Sequence, residues 1–131
     1  MFNIENILFT EIATELRSQF SGIKVSGEYV KSPAGFPFVS IVESDNYMSH
    51  LDNSGTEKYS TVMYEINVYS NKTSGKKAEA RSIISVIDEM MYARNFTRLS
   101  MSPAPNLEDS TIYRITARYR AETDGDRLFR I

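Results

Sequence analysis

At 131 residues, 41% hydrophobic and 24% charged, the chain has the bulk of one globular domain, long enough to bury a core without staples. A net charge of -2 excludes a molecule that holds nucleic acid by its overall field, and the lack of cysteine excludes disulfides and thiolate metal sites. Met1-Phe2-Asn3-Ile4-Glu5 has no basic stretch of a secretory signal and no apolar run reaches the ~18 residues of a membrane span, so the expectation is synthesis in the cytoplasm with no membrane partner.

Ile4, Ile7, Leu8, Ile12, Leu16 and Phe20 recur at helical steps. Asn3 stands where a cap belongs, Phe2 and Ile7 stand where a staple belongs, and Ser21-Gly22 ends the helix. Ile23, Val25 and Tyr29 then alternate with polar residues, a strand interrupted at Gly27. Lys31 to Pro37 is turn chemistry, and Phe38 to Ser44 is a second strand. From Asp45 to Glu57 the chain is polar, with no apolar period. That predicts a mobile loop, to be ordered by a partner through Asp45, Tyr47, His50, Asp52 and Glu57.

The clearest alternation follows. Val62, Tyr64, Ile66 and Val68 share one face of a strand over Tyr59 to Ser70, and Tyr59, Thr61, Met63, Glu65, Asn67 and Tyr69 share the other. Asn71 to Gly75 breaks it. Ala80, Ile83, Ile84, Ile87, Met90 and Met91 mark the buried stripe of a second helix, which Arg94 and Asn95 suit at its C-terminal end. Leu99 and Met101 lie in a short strand, Pro103-Ala104-Pro105-Asn106 turns the chain, and Tyr113, Ile115, Ala117, Tyr119 and Ala121 face the core from the last strand. Residues 122–131 read as a loose charged tail.

The order α-β-β-β-α-β-β predicts a single two-layer α+β domain over residues 1–131. Two helices suffice to cover one face of a mainly antiparallel mixed sheet. The opposite face then carries Tyr59, Met63, Tyr69, Arg114, Arg118 and Arg120, the mixture of aromatic and arginine residues common where proteins meet partners.

Residues with the means for chemistry are sparse. His50, the only histidine, lies near Asp52 without metal-ligand spacing; an enzyme with its site in that loop would rest on this pair alone. Asn71-Lys72-Thr73-Ser74-Gly75-Lys76-Lys77 lacks the glycines of a phosphate loop. Asp45, Asp52, Glu108 and Asp109 read as turn residues. Arg114, Arg118 and Arg120 repeat along one side of a strand, where same-side neighbours are ~7 Å apart, close to the phosphate spacing of a nucleic-acid strand. Cross-strand pairing with a carboxylate such as Glu65 is the competing use.

Tyr64-Glu65-Ile66-Asn67-Val68-Tyr69-Ser70, then Gly75-Lys76-Lys77-Ala78-Glu79-Ala80 and the helix Ile83 to Met91, resemble the tail terminator (tail completion) proteins of long-tailed bacteriophages and prophages. The N-terminal helix, Phe36-Pro37-Phe38-Val39, the polar stretch after Glu43 and the closing arginine-bearing strand extend the likeness over nearly the whole chain. The resemblance implies a structural, non-enzymatic virion protein without metal or cofactor. Such a protein assembles in the host cytoplasm as a ring, commonly a homohexamer, at the head-proximal end of the tail. Its partners would be itself, the tail tube protein and the head–tail connector, with at most passing contact with DNA through the ring. The other readings are a different neck component such as a head-closure protein, and a DNA-binding module using the arginine face.

Overall fold

A computed structural model describes residues 1–105 and 109–131, so the turn reading of Asn106 and Glu108 lies outside the described residues. The elements are α1 (Glu5–Gln19), β1 (Lys24–Ser26), β2 (Phe38–Leu51), β3 (Glu57–Ser70), α2 (Lys76–Ala93), β4 (Thr97–Ala104), β5 (Tyr113–Thr123) and β6 (Leu128–Phe129). The expected α+β order is present, with β6 added at the end. One mixed sheet runs β1-β2-β3-β5-β4, with β6 on β5. Among the described residues only the β1–β2 pairing is parallel. Both helices lie on one face.

The core forms between that face and the helices because two periods converge on it. Val62, Tyr64, Ile66 and Val68 of β3 meet Ile115, Ala117, Tyr119 and Ala121 of β5, with Leu8, Ile12 and Leu16 of α1 and Ile83, Ile84, Ile87 and Met91 of α2 above them. Each fully buried aliphatic side chain contributes ~1.5–3 kcal/mol. An ion pair between Glu11 and Arg94 ties the two helices at their solvent edge. Asn95 takes a left-handed φ of 68° and stops α2, as its position suggests.

Five sequence expectations need correction. Pro103 and Ala104 do not turn the chain but end β4, paired with Ile115 and Arg114. Ile7 is 63% exposed and makes no staple, because the buried stripe of α1 runs through Ile4, Leu8, Ile12 and Leu16; Asn3 Oδ1 still accepts a bond from the Glu5 N–H (3.1 Å). The first strand ends at Ser26, leaving Tyr29 in the connection to β2.

Residues 45–57 are not a loop. β2 and β3 stay paired from Phe38↔Tyr69 out to Leu51↔Glu57, so most of the stretch is a hairpin arm. Its turn is built by Asp52, whose Oδ1 accepts from Ser54 N, Ser54 Oγ and Thr56 N, each at 2.9 Å, while Gly55 takes φ 79°. These bonds, the Thr56 N–H first, hold the Asp52 carboxyl below its ordinary range. Register shifts between Glu43/Asp45 and Met48/His50 insert bulges in β2, which break the two-residue period that would have announced the strand.

Nor is the tail loose. Asp124 Oδ1 accepts from Asp126 N (2.9 Å) and Arg127 N (2.8 Å), turning the chain so that Leu128 and Phe129 pair with Thr123 and Glu122. Asn95 Nδ2 donates to Leu128 O (2.9 Å) and Thr97 Oγ1 to Ile131 O (2.7 Å). Gly125 sits at φ 99°, where an added Cβ would lie 2.8 Å from Phe2 Cδ1. Gly125→Ala is expected to cost about 1–2 kcal/mol in urea unfolding, from left-handed strain and displacement of Phe2.

Glu43 faces the helical layer opposite Tyr64 and is half-buried. Burial, then the neighbouring charge of Glu5, raises its pKa above the ordinary 4.5. The folded state therefore binds the proton more tightly than the unfolded chain, and stability falls as pH rises through the raised value. Glu43→Gln is expected to raise the urea midpoint at about pH 7 and leave it nearly unchanged at about pH 3.5.

Candidate interaction surface

The face of the sheet away from the helices divides into three regions. At one end, Tyr69 is only 1% exposed. It packs on Phe38 with ring centroids 5.9 Å apart, and its hydroxyl donates to Val30 O (3.4 Å). The Arg114 guanidinium stands 5.5 Å from the Tyr69 ring and 5.8 Å from the Tyr29 ring. Arg114 Nε (2.9 Å) and Thr116 Oγ1 (2.7 Å) both donate to Asn67 Oδ1. The connection between β1 and β2 thus covers this end, and the expected bare flank is bare only in part. Asn67, assigned by alternation to the open face, is buried there beside Thr116, and Thr61 is buried towards the other end of β3.

The middle is open. Arg118 pairs with Glu65 directly across the strands (2.8 Å), the cross-strand use weighed from the sequence. Both side chains are wet, and such a pair contributes at most ~1 kcal/mol. Arg120 is exposed, opposite Met63, with Asp45 beyond Met63 on β2. The three arginines share a face as expected, but in three settings: a ring-clamped Arg114, a paired Arg118 and a solvated Arg120.

The far end meets the arm. Tyr59 lies edge-on between His50 (5.7 Å, 88°) and Phe129 (5.9 Å, 88°). Beside it is a cleft of about 410 Å³ lined by His50, Leu51, Lys58, Tyr59, Glu122 and Phe129. His50 lies beside Glu122 (Nε2 to Oε2, 3.5 Å), and Asp52 is taken up by its turn. Ser49 Oγ donates to the same Glu122 oxygen (3.0 Å), so serine and histidine both address the carboxylate and form no serine-to-histidine relay. Among the described residues, no group of three His, Asp or Glu side chains is placed to hold a metal ion.

Beyond the core, the arm exposes Tyr47 (47%), Met48 (61%) and Leu51 (55%). Of the residues expected to meet a partner there, Asp45 and Tyr47 lie on the strand and face solvent, and His50 joins the Tyr59 cluster. Glu57 closes on β3 by accepting from Ser60 Oγ, which lowers its pKa. Sequence reasoning missed Met48, Leu51, Glu122 and Phe129. The findable signal was Asp124-Gly125 before Leu128-Phe129, a turn pair followed by apolar residues.

No protein-family model matches the chain, and no curated protein matches it.

Proposed function

We propose that this chain is a phage tail terminator: a non-enzymatic ring-forming protein that caps the tail tube, ends its polymerisation and offers a surface to the head-side connector. The observation that carries this reading is the arm. Two strands continue past their core and hold tyrosine, methionine and leucine side chains in solvent, an arrangement that gains free energy when another surface covers it. The open middle of the sheet, with Arg118, Arg120 and Met63, adds the mixed polar and apolar character of a protein contact. The pairing of Arg118 with Glu65 and the clamping of half-buried Arg114 between rings and Asn67 leave a weak track for phosphates, which favours protein partners over DNA.

Negative-stain electron microscopy of the purified protein, alone and mixed with tail tubes, tests this. Rings of one diameter, and caps at one end of each tube, are expected. Monomers beside uncapped tubes would overturn it. Binding to the connector without binding to the tube would place the chain elsewhere in the neck.

A further inference from the structure

We infer that copies of this chain join edge to edge, the outer edge of β2 in one copy pairing with the outer edge of β4 in the next to form one continuous antiparallel sheet. This rests on the ring reading and names the surface that would close the ring.

The sheet has two open edges. β1 covers β2 only at Phe38, Val39 and Ser40, so among the described residues no strand pairs with the outer side of Ile41–Leu51. Among the described residues β4 likewise has only β5 beside it. Unpaired edges present backbone donors and acceptors to any passing strand, and monomeric proteins usually block them.

Polarity selects the arrangement. β2 to β3, β3 to β5 and β5 to β4 are each antiparallel, so β4 runs opposite to β2. A copy related by rotation about a ring axis presents its β4 in that same sense, and the junction is antiparallel without inverting a subunit. Length agrees as well. Pro103 supplies no N–H, which limits the run of donors on the free edge of β4 to Thr97–Ser102, and this fits within the open stretch of β2.

Charge complements. The open stretch Ile41–Leu51 carries Glu43 and Asp45 with no lysine or arginine, whereas residues 97–104 carry Arg98 and no acid. Arg98 remains half-exposed while bonded to Asp88 (3.1 Å). Pairing of β2 with β2 about a two-fold would bring the acidic edges together, which is unfavourable. Both edges also carry exposed apolar side chains, Tyr47 and Met48 on one and Leu99 on the other. The bulges in β2, and the register shift between Arg98 and Ser100 in β4, add the twist that a closed sheet requires.

Hydrogen exchange on the native chain, dilute and assembled, tests this together with cysteine cross-linking, which is clean because the chain has no cysteine. Assembly is expected to slow outward-facing amides at least about tenfold in both Ile41–Leu51 and Thr97–Ser102. Tyr47→Cys combined with Leu99→Cys is expected to give a covalent ladder under mild oxidation, and neither substitution alone any covalent dimer. Rings by microscopy without slowing in these segments would overturn the edge pairing and leave the ring reading standing. Covalent dimers from Tyr47→Cys alone, with slowing confined to β2, would overturn it in favour of a two-fold contact. Absence of assembly with or without tubes would overturn both.

Discussion

Phe96→Ala is expected to lower the unfolding free energy by about 3–5 kcal/mol, against a total of about 5–15 kcal/mol for a domain. Phe96 follows the left-handed Asn95, and its N–H bonds back to Met91 O (3.0 Å), so the turn that ends α2 drives the ring inward. There it is 1% exposed and stands edge-on to Tyr64, centroids 5.6 Å apart at 87°. Alanine removes the ring, the edge-to-face contact and the lid over a tyrosine whose hydroxyl is already held high in pKa by burial. Phe96→Leu fills much of the same space and is expected to lose less than half as much. Urea unfolding followed by far-ultraviolet circular dichroism measures both. A loss below about 1 kcal/mol for alanine would show that this corner is loosely packed.

Asn67→Leu is expected to cost about 2–4 kcal/mol, a large effect for a residue on the face without helices. One oxygen there serves two donors, the half-buried Arg114 guanidinium and the buried Thr116 hydroxyl. Leucine leaves both without that acceptor and keeps the charge in place, and the desolvation of an unpaired donor is the larger part of the loss. Thr116→Val removes one donor and leaves the Arg114 bond, so its expected cost is about 1 kcal/mol. The Asn67→Leu and Thr116→Val double variant should therefore lose less than the sum of the singles. Strict additivity in that cycle would show that the shared oxygen does not couple them.

The sequence predicted the core through contrast. Val62, Tyr64, Ile66 and Val68 sit between polar neighbours, and the stripe of α2 recurs cleanly, because one side of each element is dry and the other is not. The arm offered no such contrast. Tyr47 and Met48 lie on opposite faces of β2 and both are wet, so hydrophobicity carries no period, and the bulges shift what period there is. Alternation placed Arg114, Arg118 and Arg120 on one face. It could not show that a connection some eighty-five residues earlier in the chain would lay Tyr29 against the first of them, because such coverage is set by tertiary packing. The tail escaped notice because two residues of strand are too few to show a period, leaving the Asp124-Gly125 turn pair as its one mark.

At about 3.3 Å per residue, the 14-residue β2 and β3 each run ~46 Å, while the 18-residue α2 spans ~27 Å. Near its tip the strand pair therefore has no helical roof. Opening the tip costs backbone bonds and little apolar burial, so it can fray while the domain beneath stays intact. Melting temperature reports the roofed part alone. A variant damaged only at the tip would look sound by calorimetry and still fail wherever that projecting finger must grip.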